Sequence, residues 1–203
     1  MLLCIFAAIE TTAQGQWVAK INTLSWLDPG TPTLQPGIEY RLNKRTSLEF
    51  TIGIPTKTYD ELKNTDSTYN RYFKLKAEMK YFPGEKRSFY LGPEGTYVRR
   101  KRSKFDGTLI GDDGKTYGYD YAETEKSIFA LAFKIGFLLP FQRNSPWLFD
   151  TWFGAGPRFM YMNADVVNRQ LGGHGPLFWQ SDREGFTTSI HVTFGLKIGY
   201  VIH

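Results

Sequence analysis

Apolar and polar residues alternate strictly along several stretches of this chain, and this two-residue period constrains the fold more than any other feature. In Phe73–Tyr81 every odd position is apolar and every even position is charged. A helix would mix the two sets around its circumference, whereas a β-strand places them on opposite faces. The stretch is therefore predicted to be a strand with one apolar face and one charged face.

The same period recurs along the chain, which predicts roughly eight strands of the ~9–11 residues that cross a bilayer at a tilt. The clear cases are residues 47–54, 129–137 and 189–200, and the weaker ones lie near 17–26, 33–42, 88–99 and 147–161. The connections between them alternate in length, as they do in outer-membrane barrels. Short polar turns are predicted at Asn43–Arg45, Pro83–Arg87 and Gln142–Pro146, and long polar loops near 57–70, 101–125 and 163–184. An even number of strands places both termini at the short-turn end.

The polar faces carry charges of both signs, and this decides which face looks inward. Their charged members are Lys20, Glu39, Arg41, Glu49, Lys74, Lys76, Glu78, Lys80, Glu94, Lys134, Asp150, Arg158 and Lys197. Eight strands enclose only enough room for side chains, so rows of Phe, Leu and Tyr would overfill the interior. Charged side chains can instead pair across a narrow lumen, where burial is tolerated only with a partner.

The sequence therefore predicts a lumen filled by ion pairs, with the apolar rows facing lipid. The predicted lumen charge network comprises Lys74, Lys76, Glu78, Lys80, Glu94, Lys134, Asp150, Arg158 and Lys197. The opposite arrangement, a soluble lipocalin-like carrier with its apolar set inside, is the alternative fold interpretation. Aromatic residues make up 16% of the chain, which is typical of barrels with aromatic girdles at the membrane interfaces.

We predict one all-β domain over residues 14–203, an eight-stranded antiparallel up-and-down transmembrane β-barrel. Residues 1–13 form an apolar run that ends in small residues, which indicates the end of a truncated secretory signal peptide. The predicted cleavage follows Ala13. The expected location is the outer membrane of a Gram-negative bacterium, with both termini in the periplasm.

The opening of the predicted barrel resembles a known group. Ala19–Ser25, Thr33–Leu42, Ser47–Phe50 and Tyr90–Tyr97 are similar to segments of small outer-membrane barrels of the domain-of-unknown-function type. The architecture resembles that of the small OmpA/OmpX-type barrels. This resemblance implies a fold rather than an activity, and it brings no catalytic residues.

A basic run follows the strand predicted near 88–99. Its members are Arg99, Arg100, Lys101, Arg102 and Lys104, and we predict that they contact lipopolysaccharide phosphates at the outer end of the strand. The alternative is a solvated loop. The net charge of +5 would also permit nucleic acid as a partner, but the export signal argues against it.

Two groups of residues that contain a histidine could support chemistry. Ser189 and His191 share one face of the last strand, and with Glu78 or Asp150 they could form a hydrolase triad in a lipid A deacylase-like enzyme. The favoured interpretation is polar filling of the lumen. His174 lies in a glycine-rich loop without a spaced partner, so no metal site and no cofactor are predicted.

Small residues at Ala77, Pro93 and Gly95 interrupt the otherwise bulky outward face. Small residues allow another backbone to approach within a membrane, so this patch is predicted to dock another outer-membrane protein or lipoprotein. The functional prediction is a non-enzymatic outer-membrane protein, structural or an accessory subunit of an assembly. Its expected partners are membrane lipid, lipopolysaccharide and this docked protein.

Overall fold

The computed structural model describes residues 15–27, 32–56, 70–84, 86–142, 145–172 and 182–202. Within these ranges nine β-strands follow one another. They are β1 (Gln16–Asn22), β2 (Thr33–Arg41), β3 (Thr46–Pro55), β4 (Asn70–Tyr81), β5 (Phe89–Ile110), β6 (Thr116–Pro140), β7 (Trp147–Val167), β8 (Gln170–Leu171) and β9 (Gly185–Ile202). A single 3-10 turn, Leu24–Leu27, follows β1. Among the described residues, no helix has the length and apolar character needed to cross a membrane.

Eight of these strands close into one barrel. Each of the strands β1–β7 pairs antiparallel with the next, and β9 pairs antiparallel with both β7 and β1. The two-residue strand β8 is an addition to β6. The predicted fold class, an all-β up-and-down barrel of eight antiparallel strands, is confirmed.

The faces of the barrel follow the period of the sequence. On β6 the odd residues from Phe129 to Phe137 are 44–55% exposed, whereas Ala130, Ala132 and Lys134 between them are buried. The apolar rows therefore lie outside and the charged rows inside, the inverse of a soluble lipocalin-type barrel.

The strands extend farther than the sequence pattern predicts. The chain was expected to form loops near 101–125 and 163–184, but β5 and β6 continue as a paired hairpin to the turn at 111–115, and β7 continues to Val167. The loop predictions are wrong for these parts. Lipid-facing apolar residues mark only the membrane part of a strand, so its continuation has no such period.

The end of the barrel that carries Gln16 and Ile202, here called the terminal end, is sealed by an apolar cluster. It consists of Val18, Phe82, Tyr90, Leu138, Leu148 and Trp152. Gly136 makes room for the Tyr90 ring, because a Cβ on Gly136 would lie 2.3 Å from the Tyr90 Cζ. The short connections after β2, β4 and β6 lie at this end, as predicted.

The opposite end, here called the hairpin end, carries a cap formed by residues 107–119, 168–172 and 182–185. The Ile110 amide donates to the Asp182 carbonyl at 2.8 Å, and the Gly118 amide donates to the Gly172 carbonyl at 3.1 Å. The Asp182 carboxylate accepts a hydrogen bond from Lys126, which lies on the inner face of β6. The segment that begins at Asp182 therefore lies inside the mouth of the barrel.

Candidate functional site

The first charge layer lies next to the apolar cluster and joins three carboxylates to two lysines. Lys20 Nζ lies 2.5 Å from Glu39 Oε2 and 2.5 Å from Asp150 Oδ2. Lys80 Nζ lies 2.7 Å from Glu49 Oε2 and 2.5 Å from the same Asp150 oxygen. Each lysine also contacts the third carboxylate at 3.1 Å. All five side chains are buried, so each ammonium is shared among three acceptors.

The second charge layer continues toward the hairpin end. Lys134 Nζ lies 2.7 Å from Glu78 Oε2 and 2.9 Å from Glu94 Oε2. Lys197 bridges the two layers, since its Nζ lies 2.5 Å from Glu49 Oε1 and 3.2 Å from Glu78 Oε2. Lys76 completes the layer at 3.7 Å from Glu94.

Two aromatic rings stand among these charges. The Tyr90 hydroxyl donates to Asp150 Oδ1 at 2.7 Å, and its ring lies 4.6 Å from Lys80 Nζ. The Trp152 ring lies 4.4 Å from both Lys134 Nζ and Lys197 Nζ. These contacts are cation–π interactions in a buried setting, where they are strongest.

The charges of the two layers balance. Among the described residues the layers contain five carboxylates, Glu39, Glu49, Glu78, Glu94 and Asp150, and five lysines, Lys20, Lys76, Lys80, Lys134 and Lys197. A buried ion costs several kcal/mol unless a partner and hydrogen bonds compensate it. Arg87 adds a guanidinium 3.8 Å from Glu39 Oε1, so the lumen holds a nearly neutral network whose members depend on one another.

The structure places the predicted lumen residues as follows. Seven of the nine belong to the two layers, while Lys74 and Arg158 lie farther toward the hairpin end, where both interact electrostatically with His191. The prediction left out Lys20, Glu39 and Glu49, although all three belong to the polar set. It also missed Tyr90 and Trp152. Alternation places Tyr90 on the same strand face as Glu94, and Trp152 on the same face as Asp150, so the pattern could have identified both.

The carboxylates of the first layer do not stand alone. Oxygens of Glu39, Glu49 and Asp150 lie within 4.8 Å of one another, a spacing that would suit a cation. The ammonium groups of Lys20 and Lys80 already occupy the space among them.

The hypothetical triad is not assembled. His191 Nε2 is buried without a hydrogen bond, while the candidate carboxylates Glu78 and Asp150 are engaged by lysines. Ser189 lies opposite Arg158 across the β7–β9 pair. His174 lies outside the described residues.

The basic run lies within β5 rather than after it, which corrects its placement at a loop base. Alternation along the strand divides the run between two faces. Arg99 and Lys101 face outward, where they form ion pairs with Glu125 and Glu123 of β6. Contact with lipopolysaccharide phosphates stays a prediction, and within this run only these two residues lie on the outer face. Arg100, Arg102 and Lys104 face into the mouth of the barrel, away from its outer surface.

The small-residue patch lies on the outer face of β4 and β5. Ala77 pairs directly with Gly95, and Pro93 pairs with Phe133 of β6. A Cβ on Gly95 would meet nothing closer than 3.9 Å, so the surface there is open. Docking of a partner at this patch stays a prediction.

Residues 1–143 match the family described as "Protein of unknown function (DUF3575)", and the chain belongs to this family. No curated protein matches the sequence. The fold is similar to crystal structures of CarO and CarO2 from Acinetobacter baumannii, each at 10% sequence identity. The CarO comparison has a TM-score of 0.40 and covers 92% of this chain and 97% of that chain. The CarO2 comparison has a TM-score of 0.43 and covers 93% of this chain and 98% of the CarO2 chain.

Proposed function

We propose that this member of the DUF3575 family is a closed, non-enzymatic barrel of the Gram-negative outer membrane, with both termini in the periplasm. Its role is structural, or that of an accessory subunit in a larger outer-membrane assembly. The observation that carries the proposal is the buried ion-pair network inside an apolar exterior. An apolar exterior requires lipid, and a filled interior leaves no path for solutes.

The ends of the lumen support the same conclusion. The apolar cluster around Phe82 and Tyr90 closes the terminal end, and the segment that begins at Asp182 lies inside the mouth. Between them, the side chains of both charge layers are buried except that of Lys76, which is 12% exposed. A diffusing ion would have to break several ion pairs at once, each in a setting where an unpaired charge is costly.

Conductance across a planar lipid bilayer tests this function. We expect the purified, refolded chain to insert without steady single-channel current, because the charge layers fill the cross-section. Insertion is verified separately by the shift in gel mobility between unheated and heated samples. Steady, stepwise currents from inserted protein would contradict a closed barrel and would assign the protein to the channels.

A further inference from the structure

The mouth of the barrel contains basic residues that belong to neither charge layer. Arg100, Arg102 and Lys104 of β5 and Lys126 of β6 point to its inner face. Among the described residues, Asp182 is the acid that interacts with Lys126, Arg102 and Lys104 together. These bases therefore outnumber the Asp182 carboxylate that they surround.

The environment of this carboxylate resembles that of a bound anion. Asp182 accepts a hydrogen bond from Lys126 and lines a cavity of only ≈ 10 Å³ with Arg100, Arg102, Thr124 and Lys126. That remaining space is about the size of one water molecule, so the carboxylate itself fills the site. Asp182 comes from a segment distant in sequence, 56 residues from Lys126.

A buried donor in the same place has no acceptor. The Nε of Arg102 is buried and makes no hydrogen bond. A buried donor without a partner costs the free energy of its lost hydration. A ligand with several acceptor oxygens would satisfy it, because a guanidinium binds carboxylate and phosphate through two parallel hydrogen bonds.

We propose that the mouth is a binding site for small oxyanions, carboxylates or phosphates, and that Asp182 occupies this site in the free protein as an internal competitor. The site ends blindly at the second charge layer, so it binds its ligand rather than passing it through the membrane.

Burial raises the pKa of Asp182, but the charge and hydrogen bond of Lys126 outweigh this and hold the pKa below its usual value. The competitor is therefore ionised at neutral pH.

The proposal is tested by titrating the full chain in detergent micelles with inorganic phosphate at low salt, followed by ³¹P NMR. Asp182→Asn removes the competing charge and is expected to tighten phosphate binding about tenfold, as when a competitor leaves only a tenth of the sites available. Arg102→Gln is expected to weaken binding about tenfold, the effect of losing one charge-assisted contact. Acetate is titrated in the same way, and its affinities for the unmodified chain and the two variants are expected to follow the same order as those of phosphate.

Lys101→Gln is the matched control, because Lys101 neighbours Arg102 but faces outward and pairs with Glu123. Its phosphate affinity is expected to equal that of the unmodified chain. Equal phosphate affinities for the unmodified chain and the Asp182→Asn variant, or no binding by that variant, would overturn the proposal. Equal weakening by Arg102→Gln and Lys101→Gln would also overturn it, since it would reveal attraction to net charge rather than a site.

Discussion

Replacing Lys80 with methionine is expected to destabilise the barrel by about 3–5 kcal/mol, the range for breaking a buried ion pair from one side. Lys80 contacts Glu39, Glu49 and Asp150, all within 3.1 Å. Its removal leaves Lys20 as the only described lysine that contacts all three of these buried carboxylates. Urea unfolding of the chain in lipid vesicles, followed by tryptophan fluorescence, measures the change.

Two further variants separate this effect from a general loss of charge. Lys101→Met removes a lysine whose ion pair with Glu123 is exposed, and its stability is expected to stay close to that of the unmodified chain, because solvent screens such a pair. The double change of Lys80→Met with Glu39→Gln is expected to be more stable than Lys80→Met alone, because one uncompensated charge is gone. Equal losses in Lys80→Met and Lys101→Met would show that the network contributes no more than a surface pair.

Replacing Phe133 with arginine is expected to destabilise the barrel by about 2–4 kcal/mol, the cost of a cation on the lipid face near the bilayer midplane. Phe133 is 55% exposed and stands at the centre of the outward row from Phe129 to Phe137. An exposed aromatic ring at this position is explained by lipid, since water would disfavour the whole row. The same urea titration in vesicles measures the loss.

Asn163→Arg provides the matched comparison. Asn163 is also exposed and outward-facing, but it pairs with Glu125 beyond the apolar row. Arginine there is expected to cost about 0–1 kcal/mol, the value found near the interfaces. If both arginines were tolerated equally, the apolar face would not be in contact with lipid.

The fold was predictable from the sequence because its strongest signal is local. The alternation in Phe73–Tyr81 predicts both the strand and the residues on each of its two faces. The small volume of an eight-stranded lumen then determines which face lies inside. The same parity would have identified Tyr90 and Trp152 as lumen residues.

The hairpin end was not predictable in the same way. There the paired strands carry charged residues opposite each other, such as Lys101 and Glu125. Without an apolar row, the sequence of these strands resembles that of a polar loop. The cap depends on contacts between distant parts of the chain, such as Lys126 with Asp182. Asp106 also has a positive φ of 45° within β5, an uncommon conformation for a residue other than glycine. No periodic signal indicates such contacts.

The central claim, a sealed charged lumen inside a lipid-facing wall, can be tested at two neighbouring positions of β7. Trp152 is 4% exposed and faces the lumen, whereas Phe153 is 60% exposed and faces outward. One variant keeps Trp152 as the only tryptophan, and the other carries Phe153→Trp as the only tryptophan, with the remaining native tryptophans replaced by phenylalanine in both. Fluorescence quenching is measured in vesicles with brominated lipid and, separately, with iodide.

Tryptophan at position 153 is expected to be quenched strongly by brominated lipid and not by iodide, while Trp152 is expected to be quenched by neither. Quenching of Trp152 by iodide would reveal a water-filled lumen. Quenching of position 153 by iodide but not by brominated lipid would show that the apolar wall does not face a membrane, and either result would contradict the account.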